Sequence, residues 1–243
     1  MTAREHVKLQ ITRLRSQSRD SGQVRLPTAT VAHGAEIISY FFLAAVLAGA
    51  ALPEHCAPFA AALVGAAGSG LCGASAMLGA CLGYLTMLDL TQGLRHASAS
   101  ILIFSLAFAF YDVHFFRRPW VMPLFAALIH GFTGAILLSQ TGWTAAAVIR
   151  TGLEMLLTAC AVWCYRAALV PVGSRTGDRM LSPSRQGGLL FLLATLLMVL
   201  VPMYLYKDIS LGRCVGGLAV LACAWQGGVT TGAVMGATLG IAM

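Results

Sequence analysis

Charge is what this sequence lacks. Only 10% of its 243 residues are Asp, Glu, Lys or Arg, against 58% hydrophobic, where a water-soluble domain carries about 25% charged residues. A chain so poor in charge cannot clothe a water-facing surface, but it can face lipid. Composition therefore overrides the one or two soluble domains that length alone would allow. Acidic residues are scarcest, nine in all and dispersed. A carboxylate metal site needs several of them converging on one cation. Also missing are GxSxG, the phosphate-binding GxxxxGK[ST] and HExxH.

Seven cysteines are present, Cys56, Cys72, Cys81, Cys160, Cys164, Cys214 and Cys223. They have neither CxxC spacing nor a histidine at ligand spacing. Cys160 and Cys164 share a helix face and read as small membrane-buried side chains rather than metal ligands. No catalytic residue, cofactor or metal is expected in this chain.

What is there is a basic tail followed by apolar runs. Arg4, Lys8, Arg13, Arg15, Arg19 and Arg25 precede Pro27, offset only by Glu5 and Asp20. Such a tail directly before an apolar span reads as a cytoplasmic anchor attracted to anionic lipid, not as a nucleic-acid arm. Residues 1–30 are therefore assigned to a basic cytoplasmic tail, and 35–243 to an all-α polytopic bundle of about eight or nine short Gly/Ala-rich spans. Leu26 to Ala35 is no secretory signal, because it mixes Pro, Thr, His and Gly and the apolar run after it is too long.

The spans read as about 35–52, 57–70, 73–88, 97–113, 119–139, 144–167, 187–206, 209–224 and 227–243. The 57–88 stretch decides the topology. As one helix it would be roughly 48 Å long against a ~30 Å hydrocarbon core. Gly65, Gly68, Gly70 and Gly73 cluster near its middle, so a hairpin is the preferred reading. With the N-terminus inside, the hairpin places Arg117, Arg118, Arg166, Arg175, Arg179 and Arg185 on the cytoplasmic side and Arg95, Arg150, Lys207 and Arg213 outside. A single span would reverse the two groups, against the positive-inside rule. Pro171–Gln186 is a polar cytoplasmic loop.

Glycines recur at helical spacing: Gly79 with Gly83, Gly212 with Gly216, then Gly228, Gly232, Gly236 and Gly240. Residues four apart return to one face, so each row makes a groove into which another helix can settle. Both packing within the chain and self-association fit this pattern.

Charges inside spans are costly and invite a functional reading. Arg150 and Glu154 lie four apart and can pair on one helix face, either as a self-compensated pair, which is preferred, or as part of an ion or substrate pathway. His130 lies deep in a span and reads as a helix-to-helix hydrogen bond before a proton relay. Asp89, Asp112, His114, Lys207 and Asp208 sit at span ends. Trp120, Trp143, Trp163, Trp225, Tyr40, Tyr84, Tyr111, Tyr204 and Tyr206 lie mostly near the ends, as an aromatic belt would. The last span ends at Met243 after about 17 residues, roughly 25 Å, which leads to the expectation of a truncated C-terminus.

Residues 187–243, with Ile209-Ser210-Leu211-Gly212-Arg213 and then Gly227-Gly228 opening the glycine row, resemble the membrane region of stage II sporulation protein E. Upstream, PFAAALVG at 58–65, the small-residue hairpin and the basic loop before 187–206 are similar too, so the likeness covers about 35–243. The resemblance implies a multi-pass bacterial cell-membrane anchor preceding a cytoplasmic manganese-dependent PP2C-type serine phosphatase domain. In that family the phosphatase dephosphorylates an anti-anti-sigma factor and so releases the forespore sigma factor. The protein also associates with the division protein FtsZ. The phosphatase's metal-binding aspartates have no counterparts here, and Gly177-Asp178 is a loop dipeptide. The lipid bilayer and a second copy of the chain are the partners expected of this region itself. The alternative is a small-molecule transporter or channel subunit, for which Glu154, His130 and Gln226 are the candidate polar groups.

Overall fold

The structure is a computed structural model. It describes residues 28–50, 56–169 and 183–200, and then 204–206, 209–210, 212, 215–221, 224, 232–233, 235–237 and 240. The chain divides into two compact units, Met1–Glu36 and Ile37–Met243. In the first, the described backbone is helical from Thr28, and His33 Nδ1 lies 3.6 Å from Glu36 Oε2, one turn on. The Arg and Lys residues of the expected basic tail lie outside the described residues.

The described residues form an all-α fold with one minimal ribbon. Its helices are α1 (Thr28–Leu47), α2 (Phe59–Ala67), α3 (Leu71–Met87), α4 (Leu90–Ala109), α5 (Val121–Thr141), α6 (Ala145–Ala168) and α7 (Pro183–Leu200). A 3-10 turn, His114–Arg117, joins α4 to α5. Each helix from α2 to α7 packs against the next one in the chain.

Residues 57–88 are two helices, turned at Gly68–Gly70. Gly68 adopts φ 80°, and its N–H bonds back to Val64 O, so glycine ends α2 where a side chain would be strained. Gly73 lets the turn fold flat, since a Cβ there would collide with the Gly68 carbonyl. At the other end, Gly142 (φ 100°) closes α5 and the Thr144 side chain accepts from Ala147 N to begin α6.

The central element is α2, whose Phe59 to Gly65 are all buried. It packs against α3, α4, α5 and α6. Nine residues rise only about 13.5 Å, and five of the nine are alanine, so four neighbours can close on it. Gly79 and Gly83 of α3 face α1 in the same way. A Cβ on Gly79 would strike the Phe41 carbonyl, and one on Gly83 would come 2.7 Å from Ala48 Cβ.

Side-chain size is distributed inside out. The core is rich in alanine, with Ala44, Ala60, Ala80, Ala99, Ala126 and Ala161 fully buried, while Phe42, Leu78, Phe108, Phe132, Ile149 and Trp163 point outward. On α6 the buried stripe is Thr151, Glu154, Thr158, Ala161, Val162 and Tyr165, whereas Ile149, Leu153, Leu156 and Trp163 are exposed. A surface helix of a soluble domain does the reverse. Among the described residues, two helices, α5 and α6, are long and apolar enough to cross a membrane; His33–Leu47, Leu71–Met87 and Ser184–Leu200 are shorter apolar helices.

Beyond α7 the structure departs from the sequence expectation. The span expected over 187–206 starts earlier, at Pro183, and its described helix runs to Leu200. Tyr204–Tyr206 instead pairs antiparallel with Ile209–Ser210. Of the later glycines, Gly212 and Gly216 are buried. Gly232 faces Ala224, Gly236 lies near Val220, and Gly240 has open space where a Cβ would be. Gly228 lies outside the described residues, as do Gln226, Cys214 and Cys223.

Candidate functional site

Five polar side chains from four helices meet in the interior of the second unit. Tyr84 comes from α3, Arg95 and His96 from α4, His130 from α5 and Glu154 from α6. Arg95 is 8% exposed, Glu154 1%, and the other three are fully buried.

The local sequence explains how each arrives. On α4, His96, Ser100, Ile103 and Ala107 recur at helical spacing and form one buried stripe, with Arg95 and Ala99 beside it. Arg95 thus continues the inward face of the helix. Its Nη2 pairs with Glu154 Oε2, and Nη1 reaches Gln92 Oε1 at 3.4 Å. Glycine provides the passage, because a Cβ at Gly134 of α5 would lie 3.0 Å from Arg95 Nη2 and 2.6 Å from Thr151 Cγ2. Each charge alone would be expensive in this interior, and together they neutralise one another. The thiol of Cys56, just before α2, also interacts with Glu154.

Beside this ion pair, His96 Nδ1 and His130 Nε2 are 3.2 Å apart. The His96 ring stacks on Tyr84, centroids 5.1 Å apart and planes at 27°, and lies 5.2 Å from the His130 ring. Tyr84 in turn addresses the start of α2. Its hydroxyl donates to Ala57 O at 2.7 Å and accepts from Ala61 N at 3.0 Å. A short buried helix needs such partners for its first N–H groups, which have none within the helix. Neighbouring hydroxyls serve the backbone: Ser100 donates to His96 O, Thr133 to His130 O and Thr158 to Glu154 O.

Several residues stand elsewhere than their sequence position implied. Arg95 was expected in an outer connection and is buried in α4. Tyr84 was expected in an aromatic belt and caps α2 from the core. Glu154 is paired across the bundle with Arg95, fifty-nine positions away, and Arg150 lies one turn before it on α6. His130 makes an interhelical contact, to His96. Asp112 and His114 are exposed at the α4–α5 connection. Arg95 and His96 are the members sequence reasoning missed. Their signal was the continuation of the α4 stripe through residue 96, four before Ser100 and seven before Ile103.

Two grooves lie near these elements. One, about 500 Å³, runs between α4 and α5 and is lined by Leu94, Arg95, Thr133, Leu137 and Gln140 among others. The other, about 580 Å³, gathers Gly68, Ser69, Tyr111, Phe116 and Arg166. It therefore brings the α2–α3 turn, the α4–α5 connection and the end of α6 to one end of the bundle. There Arg166 Nη1 donates to Pro119 O at 3.4 Å.

Comparison of the chain with protein-family models, with curated proteins and with solved structures finds no match.

Proposed function

We propose that this chain is a multi-pass membrane-anchoring, localising and self-associating region of a stage II sporulation protein E-like serine phosphatase, with its N-terminus in the cytoplasm of a bacterial cell. The observation that carries the membrane part is the inverted packing: alanine, glycine and paired polar groups inside, bulky apolar side chains outside. Lipid gives helices no hydrophobic reason to associate, so close backbone approach and buried polar contacts must hold them. Gly79 and Gly83 against α1 and Arg95 with Glu154 are contacts of those kinds. The orientation draws support from the shared end of the α2–α3 turn, the α4–α5 connection and Arg166, since Arg117 and Arg118 belong to that connection.

The phosphatase assignment rests on the resemblance at 187–243 together with the basic loop and small-residue hairpin before it. On this reading the catalytic manganese, the anti-anti-sigma substrate and the contact with FtsZ belong to regions outside this chain, which anchors and positions them. Sequencing the native locus through and beyond codon 243 tests it. An open frame running into a soluble region with dispersed Asp-Gly and Gly-Asp motifs is expected; a stop codon there would overturn the assignment.

The polar cluster favours a second reading, a small-molecule transporter or channel subunit. Arg95, His96, His130 and Glu154 converge as such a protein's midplane groups do. Substrate uptake by cells expressing the chain, lost in Glu154→Ala, would select this reading over the anchor.

A further inference from the structure

We propose that the His96–His130 pair is a proton-binding site that opens the α4–α5 contact on acidification. The inference is independent of the phosphatase assignment and stands on geometry. Two imidazole nitrogens 3.2 Å apart can share one hydrogen bond only if one carries a proton and the other offers a lone pair. Two neutral rings satisfy this, and so does a pair holding one extra proton elsewhere on the rings. A proton on the accepting nitrogen sets N–H against N–H and breaks the bond.

The surroundings make that proton consequential. Both rings are fully buried, so an imidazolium formed there has no bulk water to solvate it. A cation, Arg95, acts electrostatically on His130. Its countercharge, Glu154, is already engaged by Arg95. Tyr84, stacked on His96 from α3, gives its hydroxyl to the α2 backbone. Of the remaining ionisable groups, Cys56 interacts with Glu154, Arg95 and Arg150. No carboxylate other than Glu154 stands in this cluster among the described residues. The added charge is relieved when His130 withdraws from His96, and because one ring is on α5 and the other on α4, withdrawal separates those helices. Such a pair gives a buried membrane region a response to pH within the range where histidine titrates.

The sign follows from proton linkage. Against the closed pair of two neutral rings, an open form with one ring charged holds one proton more, so opening grows as pH falls, about tenfold per pH unit below the ordinary histidine value of about 6.5. The experiment is hydrogen–deuterium exchange on the full chain in nanodiscs of phosphatidylcholine and phosphatidylglycerol. Exchange is measured at about pH 5 and about pH 8, either side of that value, and corrected for the intrinsic pH dependence of exchange. The expected result is at least tenfold faster corrected exchange at the acid end for amides of α4 and α5 around 96 and 130. The increase should be absent in His96→Gln and His130→Gln and retained in Glu154→Gln. Corrected exchange that ignores pH in the native chain, or an increase that survives both histidine substitutions, overturns the proposal. Should the variants fail to fold, nitrogen-15 imidazole spectra of the native chain decide. A proton shared between the two rings and lost on acidification is expected, and two rings titrating independently would overturn it.

Discussion

Arg95 of α4 and Glu154 of α6 form an ion pair whose side chains are only 6% and 1% exposed. Neither helix could carry its charge into this interior alone, and the two are joined through the gap that Gly134 leaves in α5. The pair therefore ties α4 to α6 past α5.

Removing one partner should cost more than removing both. Glu154→Ala leaves a buried guanidinium without its countercharge, and a loss of about 3–5 kcal/mol is expected. The double variant Arg95→Met with Glu154→Leu should recover most of it. Denaturant unfolding in mixed micelles measures the coupling; additive losses would show that the two side chains act separately.

Two glycines should respond oppositely to the same substitution. Gly79→Ala drives a methyl into the Phe41 carbonyl, whereas Gly152 of α6 has open space in that direction. The first should lower the unfolding temperature by several degrees. Gly152→Ala should leave it unchanged or raise it, because alanine favours helix by about 1 kcal/mol over glycine. A thermal scan of both variants is sufficient, and equal losses would contradict the contact.

Tyr84→Phe keeps the ring on His96 but removes the hydroxyl that serves Ala57 O and Ala61 N. Leaving those groups unsatisfied should cost about 1–3 kcal/mol. The accompanying sign is local: amide exchange at the start of α2 rises while that of α7 does not.

The proposed membrane arrangement can be tested with single cysteines in a background lacking the native seven. Ser69→Cys and Tyr111→Cys, near one groove, should react with an impermeant maleimide from the same side of the membrane. Gln140→Cys, at the far end of α5, should react from the other. Labelling of all three from one side would refute the alternating arrangement.

The helices were legible in sequence because apolar runs and glycine clusters mark them directly. The turn within 57–88 follows from length and from Gly68. The central cluster was harder to see. Arg95 and His96 sit one and a half turns into α4, close enough to its start to look like part of a connection. Only their register with Ser100 and Ile103 shows that they face inward. Glu154 has an arginine at ideal spacing on its own helix, yet its partner in the structure comes from another helix through a gap in a third. Such a relation depends on which helices touch, and helical periodicity does not encode it. Tyr84 was obscured similarly, since an aromatic near a helix end suits an interface as well as a core.

The shortness of α2 has a consequence for how the protein is made. On the proposed membrane reading, about 13.5 Å of helix covers less than half of a ~30 Å hydrocarbon layer, which gives the segment little reason to partition from the translocon by itself. It would then enter together with α3, as a loop held at Gly68–Gly70, and wait for α4 to α6 before its flanks are covered. The innermost helix is thus among the first synthesised and the last to be completed. Synthesis interrupted before α6 would leave α2 without one of its four neighbours, and such a fragment should be recognised and degraded rather than retained.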